Sequence, residues 1–566
     1  MEKLARTETD IRGVILSTAV DQASAKLSDL DLQTRLTELA RNAANTPLKN
    51  RFKLDPLRAS TFSGHVGPLF VDFAKHHLDN GILSTLCTLA HQRGVPQQLD
   101  ALRAGAKLNN TEDRSANYPC LRRWASSDTG AAHDPAIDAM YRKMEALVTA
   151  IHAGTHRSST GQTFTDVVNI GIGGSDFGPR LVCDALSNQH PNTLRPHFAA
   201  NIDPSVMTEI LARVPAETTL FIVASKSFGT QESRCNAQTA RAWLQSALGT
   251  RDVDAHFMAV SSKPEAAKAF GISEELIIPV PEWVGGRFSV WSGFGFAIAL
   301  CAGMDSFRAL LKGGYAVDQH VASQPLESNI PLILGMLDVW YRNAWGMTSH
   351  AVLPYEHHLK LLPIYLQQLF MESAGKSVKA DGHPSAGATG GVIWGTEGTN
   401  GQHSFHQLLH QGSDAIPCDF IASLSSHNPI GEQHQALIAN CLSQSLVLMQ
   451  GQAAADIEKD LIASGMDASA AQQLAQHKAM PGNRPSTTIL MNKLDAESLG
   501  ALIALYEYRL FAASFMWGIN PFDQWGVELG KQISQTLMAS LSGDDTATLD
   551  SSTSQLIALF RQAQDA

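Results

Sequence analysis

The 566-residue sequence predicts an α/β protein with two tandem, doubly wound parallel sheets, a helical N-terminal region and a C-terminal helical arm. Two observations predict it. From about residue 135, short apolar runs that end on glycine or hydroxyl-rich turns alternate with helical patterns, the mark of crossover units that build a parallel sheet. A second cycle of the same kind starts after about residue 300. Length agrees with a doubled architecture, because a chain of this size exceeds one ordinary hydrophobic core.

Taken in order, residues 1–120 read as mostly helical. DLQTRLTELARNA repeats apolar positions at helical spacing, and LFVDFAKHHLDNGILSTLCTLAHQRG does so again and stops on glycine. Residues 121–300 form the first sheet domain: DVVNIG (166–171) is a strand with a glycine turn, TLFIVA (219–224) a strand with a hydroxyl turn, and HFMAV (256–260) a further strand. Residues 301–542 form the second: IPLILGMLDVW (330–340) reads as a buried helix, and AVLP (351–354), GVIW (391–394) and DFIA (419–422) as strands. Duplication would explain the pairing, although no sequence repeat proves it. Residues 543–566 are polar and close with one short helical pattern, the arm.

Composition narrows the function. Hydrophobic residues make up 44% and charged residues 17%, as in a folded soluble protein with a low surface charge. The formal charge of -11 argues against nucleic acid or an anionic membrane as the main partner, so any bound anion must be caught by a local pocket. The seven cysteines are scattered with neither CxxC nor zinc spacing, which suits a reducing compartment. MEKLARTETDIRG has no apolar signal-peptide core, and the longest apolar-looking run, 293–304, is too short to span a bilayer. A cytoplasmic protein is expected.

Several stretches carry chemistry. GIGGSDFG (171–178) follows a strand, but a dinucleotide fingerprint needs glycine at its sixth place, where Asp176 stands. Gly173 and Gly174 still let the backbone approach a ligand, with Ser175 offering a hydroxyl, or they simply make a tight turn. The strand ending at Ala224 delivers Ser225, Lys226, Ser227 and Thr230 to the carboxyl edge of the sheet, beside a helix N-terminus that favours anions. Hydroxyls with one lysine suit a phosphate monoester; alternatively Ser225 or Ser227 only caps the helix. Arg287 follows Gly285 and Gly286 in an apolar setting, either paired structurally or aimed at a ligand anion.

PIYLQQLFMESAG (363–375) is bracketed as a helix by proline and glycine, with Gln368 and Glu372 on one edge. A glutamate near the C-terminus of an apolar helix is disfavoured as an anion by the dipole and by burial, which suits a general base; an exposed, solvated Glu is the alternative. TNGQHSFHQLLHQG (399–412) reads as one helix with His403, His406 and His410 on roughly one face. No HExxH and no nearby acid supports a metal there, and an imidazole near a helix N-terminus could shuttle protons. In DQWGVELGKQI (523–533), Trp525, Leu529 and Ile533 form the expected buried stripe, with Gln524, Glu528 and Lys531 on another face.

Seven runs carry a resemblance: GIGGSDFGP (171–179), ASKSFGTQES (224–233), GGRFSVWS (285–292), QQLFMESAGK (367–376), GTNGQHSFHQLLHQG (398–412), GNRPS (482–486) and NPFDQWGVELGK (520–531). In this order they resemble the phosphoglucose isomerase family of the sugar-isomerase fold. The resemblance implies two sugar-isomerase domains and a cofactor-free, metal-free aldose–ketose isomerisation of glucose 6-phosphate and fructose 6-phosphate, serving glycolysis and gluconeogenesis. It further implies a homodimer in which each subunit lends its neighbour a histidine, His403. By position, Ser225, Lys226, Ser227 and Thr230 would bind the phosphate, with Ser175, Gly174 and Gly286 close by. Glu372 would carry the proton between C2 and C1 through a cis-enediol, and Arg287 would steady the enediolate. His403 and Lys531 would open the sugar ring, and Gln368 and Gln524 would hold hydroxyls. The sequence departs from the family pattern at Ser227, where threonine is usual, at Gly229, often a hydroxyl, and at Ala374, usually asparagine. The TE-R motif at 111–114 is kept only loosely.

Overall fold

The computed structural model describes residues 28–126, 134–189, 194–544 and 548–564; the N-terminal stretch MEKLARTETDIRG lies outside them. By its internal contacts the chain divides into two compact units, Met1–Pro521 and Phe522–Ala566. The division falls ahead of residue 543, where the arm was expected to begin.

The larger unit holds both sheets. Its strands, in chain order, are β1 (Ser63–Val66), β2 (Leu69–Lys75), β3 (Asp166–Ile170), β4 (Arg195–Ala199), β5 (Thr219–Ala224), β6 (Phe257–Ser261), β7 (Ile277–Pro279), β8 (Ser349–Tyr355), β9 (Val392–Trp394), β10 (Cys418–Ser423) and β11 (Ser486–Met491). β3 to β7 form one sheet in the order β4-β3-β5-β6-β7, every neighbour parallel. Strands β3, β5 and β6 are buried at every position, which is why they read as unbroken apolar runs instead of alternating ones.

The second sheet runs β1-β2-β11-β10-β8-β9. Its parallel part, β8 to β11, repeats the first sheet's plan: the first strand sits between the second and the third, with the fourth beyond. The two parallel sheets therefore share a strand order, a likeness that no sequence repeat disclosed. The hairpin β1–β2 extends this sheet antiparallel along β11.

That hairpin corrects the all-helical reading of the first 120 residues. LFVDFAK is strand β2, with a burial pattern close to alternation. A short apolar run before a true helix, here Asn80–Gln92, fits either period. Strands β4, β7 and β11 were also missed, each short or polar at one end.

The helix Ala496–Trp517 is the core of the larger unit. It is longer than the 293–304 run and is the one described helix with the length and composition to cross a membrane, yet 94% of its apolar window is buried inside the fold. Glycines let helix backbones touch there: a Cβ on Gly313 would lie 1.8 Å from the Glu497 carbonyl oxygen, and one on Gly335 would lie 2.2 Å from that of Arg509. Its buried charges are paired. Arg122 bonds Asp318 and Glu507, and Trp291 Nε1 donates to Glu507 at 2.8 Å; Arg509 holds Asp338 at 2.6 Å and Asp419 at 2.7 Å. These networks tie the helix to both sheet domains.

The smaller unit contains two helices, Glu528–Leu541 and Ser551–Gln564, joined where Arg561 Nε donates to the Ser540 carbonyl at 2.9 Å.

Candidate active site

Strand order explains why two of the motifs belong together. The chain leaves β3 for β4 on one side and later returns to β5 on the other, so β3 and β5 flank the switch point where a crevice opens at their carboxyl ends. Their following turns are Gly171–Gly174 and Ser225–Thr230. A Cβ on Gly171 would lie 3.1 Å from the Ala224 carbonyl oxygen, which measures how closely the two strand ends approach.

The hydroxyl turn is internally bonded. Ser225 Oγ and Thr230 Oγ1 are 3.0 Å apart, Thr230 Oγ1 donates to Ser233 Oγ at 3.3 Å, and the Gly229 N–H donates to Ser227 Oγ at 3.2 Å. Neither Ser225 nor Ser227 caps the helix Gln231–Leu248: Thr230 is its N-cap and makes no side-chain capping bond. The helix start is thus left with N–H groups free of a side-chain cap, the arrangement that attracts anions. Phe228 sits at φ 54° in the left-handed region, a strained conformation that functional turns tolerate. Lys226 is partly buried, and burial first, then the Arg114 charge, pull its ammonium pKa down, with Glu112 and Glu282 opposing. Arg114, 3.3 Å from Glu112, stands on a bridge with Asn109 and was not singled out from sequence; the TE-R pattern was its only signal.

The glycine, arginine and glutamate motifs come together where the helices that follow β3 and β8, equivalent positions in the two sheets, meet. Gly173 takes φ +60°, and a Cβ there would come within 3.0 Å of Gln368 Nε2. A Cβ on Gly174 would lie 1.9 Å from the Gly286 carbonyl oxygen, so backbone crosses backbone and only glycine fits. Ser289 Oγ donates to the Gly174 carbonyl at 3.3 Å, fastening the crossing. Ser175 opens the adjacent helix, its carbonyl held by Asn169 Nδ2 at 2.9 Å. Asp176, the residue that breaks the dinucleotide fingerprint, is buried and pairs with Arg180 at 2.8 Å; burial pushes its carboxyl up to about 6, against the pull of Arg180.

Arg287, 3% exposed, emerges from this crossing. Its NH1 lies 3.5 Å from Glu372 Oε2, Nε donates to Ser373 Oγ at 2.5 Å, and NH2 donates to the Pro521 carbonyl. The expected helix over 363–375 is α-helical at Leu362–Gln367, widens into a π-turn at Gln368–Glu372 and is α-helical again at residues 373–374. Such widened turns cluster at functional sites because they re-aim side chains. Glu372 is not the deeply buried group expected: its side chain keeps 24% exposure and faces a guanidinium. Gln368 Oε1 is buried and has no hydrogen-bond partner among the described residues. Ala374, at the position where asparagine was expected, backs onto Gly390.

The histidine run and the C-terminal stretch differ from their expected form. The single helix over 399–412 is two short ones, Gly398–Gln402 and His406–Gln411, and His403 is the exposed C-cap of the first rather than a helix-start imidazole. The Phe405 ring explains the break: it packs edge-on against Trp394 at 4.8 Å and over Gly401. His406 and His410 turn instead to Gln444 Oε1, at 3.1 and 2.8 Å. Among the described residues no group of three or more His, Cys, Asp or Glu could hold a metal ion. Gln524 and Lys531 belong to the smaller unit, where Lys531 pairs with Glu528 at 3.0 Å and is 60% exposed. The expected buried stripe there is open: Trp525, Leu529 and Ile533 are 57%, 63% and 46% exposed. Periodicity tells which residues share a face, not what covers it.

Known proteins resemble this chain in sequence and in fold. The family model for phosphoglucose isomerase matches residues 72–557. A glucose-6-phosphate isomerase of Pseudomonas aeruginosa is 47% identical over 519 residues, covering 91% of this chain and 94% of the relative. One from a Marinomonas species is 44% identical over 536 residues, covering 94% and 98%. The crystal structure of a glucose-6-phosphate isomerase from Chlamydia trachomatis superposes with a TM-score of 0.80 at 29% identity, over 95% of this chain and 99% of that one. With a family model matched over residues 72–557 and relatives 44–47% identical across more than nine-tenths of its length, the chain belongs to the phosphoglucose isomerase family.

Proposed function

We propose that the protein interconverts glucose 6-phosphate and fructose 6-phosphate, an aldose–ketose isomerisation within glycolysis and gluconeogenesis. The observation that carries this reading is the 3.5 Å approach of Glu372 to Arg287 beside the Gly174–Gly286 crossing. A base that abstracts a proton next to a carbonyl leaves a negative oxygen, and a buried, pre-oriented cation is the group that stabilises it.

In this reading the phosphate docks at Ser225, Lys226, Ser227 and Thr230, where hydroxyls and the uncapped helix start supply donors. Glu372 takes the proton from C2 of the open-chain aldose and returns it to C1, while Arg287 holds the enediolate charge. Gln368, with its amide oxygen unpartnered, takes a sugar hydroxyl. Gln524 does the same, and His403 and Lys531 move the protons of ring opening. The exposure of His403 and of Trp525, Leu529 and Ile533 supports a homodimer in which the histidine serves the other subunit's site. The seven free cysteines support a reducing, cytoplasmic setting.

The test is a coupled assay of purified protein in both directions, with and without a chelator. Turnover of both phosphosugars that survives chelation is expected. Loss of activity on chelation would overturn the metal-free mechanism, and no turnover of either sugar would overturn the reading.

A further inference from the structure

Glu372 and Ser373 are consecutive, yet both touch one guanidinium. In a regular α-helix successive side chains diverge by about 100°, so two neighbours seldom share a small target. The π-turn Gln368–Glu372 widens the helix just before Ser373, and the pair then straddles Arg287. Ser373 is fully buried at 0% exposure, and its hydroxyl accepts from Nε at 2.5 Å. On another edge of the fork, NH2 donates to the Pro521 carbonyl. That carbonyl is placed in turn: its neighbour Asn520 donates to Asn109 Oδ1 at 3.0 Å and to Thr111 Oγ1 at 3.2 Å.

A guanidinium is a rigid planar fork, so two contacts on different nitrogens fix its plane and leave the direction of the third nitrogen determined. Here the third is NH1, the nitrogen beside Glu372. We propose that Ser373, together with the Pro521 carbonyl, is a positioning residue for the isomerisation: by holding Nε it fixes the plane of Arg287 so that NH1 meets the developing enediolate oxygen. This rests on the roles given above to Arg287 and Glu372. The competing explanation is that Ser373 only satisfies a buried donor and keeps the core intact.

The two explanations separate on kinetics and on ligand choice. Ser373→Ala and Ser373→Gly add no atoms, so neither meets a steric obstacle. Positioning predicts that both lower kcat roughly tenfold with KM within about twofold, a smaller loss than the 10²–10³ typical of deleting such a donor itself. Affinity for a phosphorylated hydroxamate, planar and anionic like the enediolate, falls by about the same factor, because transition-state mimics use the same contacts. Affinity for the corresponding alditol phosphate, which has the phosphate but no planar anion, stays unchanged. A kcat and hydroxamate affinity that both remain at wild-type level overturn the proposal, as does equal loss of both ligands together with a lowered Tm. Arg287→Ala run in parallel keeps the levels apart: near-normal turnover there defeats the role of Arg287, whereas an inactive Arg287→Ala beside a fully active Ser373→Ala defeats only the positioning.

Discussion

Replacing Glu372 with glutamine tests the centre of the mechanism with the least change of shape. The amide keeps an oxygen able to accept from Arg287 NH1 at the present 3.5 Å, so the side chain has no steric reason to move. What it loses is charge and basicity. At that separation the gross Coulomb attraction is on the order of 5 kcal/mol for an effective dielectric near 20, but the carboxylate keeps 24% exposure and much of the gross figure is returned as hydration. The stability cost is therefore small, about 1 kcal/mol. Catalysis suffers far more. A positioned base contributes about 10²–10⁴ to rate, equivalent to roughly 3–5 kcal/mol at about 1.4 kcal/mol per decade. Binding is expected to survive, because the phosphate anchor proposed above is the turn after β5 and not the π-turn. The expected result is kcat lower by about 10³ with KM within a few-fold, read by coupling product to a dehydrogenase. Exchange of the C2 hydrogen with deuterated solvent is expected to fall in parallel. If Glu372→Gln turns over and exchanges at near-native rates, Glu372 is not the base and the assignment fails.

Three further outcomes follow from the same geometry. Lys226→Ala removes the one lysine of the hydroxyl turn and is expected to raise KM for both phosphosugars by roughly 10–100-fold, the worth of one charged hydrogen bond; an unchanged KM in steady-state kinetics places the phosphate elsewhere. Gly174→Ala puts a Cβ 1.9 Å from the Gly286 carbonyl oxygen, a backbone atom that cannot rotate away, so activity is expected to collapse while denaturant titration shows a loss of only about 1–3 kcal/mol. His76 and His77 are buried and neutral; burial lowers both, His77 from 6.5 to about 3 against the opposing hydrogen bond that its Nε2–H donates to Asn483 Oδ1. Below pH 6.5 the His77 of the unfolded chain binds a proton that the folded chain refuses until near pH 3, so its contribution to stability is complete above that window and falls through it by up to about 1.4 kcal/mol per pH unit; His76 acts in the same direction. Urea midpoints across pH check this, and His77→Gln is expected to flatten the acid limb by about one proton.

How much of the site was legible depended on whether a residue's role is local. Ser225, Lys226, Ser227 and Thr230 could be read as an anion turn because strand, turn and helix start are contiguous, and the chemistry needs nothing from elsewhere. Gly174 and Gly286 could be seen only as permissive glycines. That they cross each other at 1.9 Å for a notional Cβ is a fact about two segments over a hundred positions apart. The stripe of Trp525, Leu529 and Ile533 was rightly grouped and wrongly buried, since periodicity fixes a shared face but not its covering. Ser373 left no signal beyond a polar residue in an apolar helix.

By itself the sequence determined the class of fold, parallel α/β units from the alternation of strand and helix, and supplied the candidates for the site: a hydroxyl turn, a glutamate and an arginine. The side-chain period of a strand and the hydrogen bonds of turns and helices are local, so short-range pattern suffices for them. Only the tertiary structure decided that the two sheets share a strand order, that β1 and β2 join the second, and that the π-turn aims Glu372 and Ser373 at a single guanidinium. Those outcomes depend on which surfaces exclude water together and on where buried charges find partners, and both are properties of distant segments brought into contact.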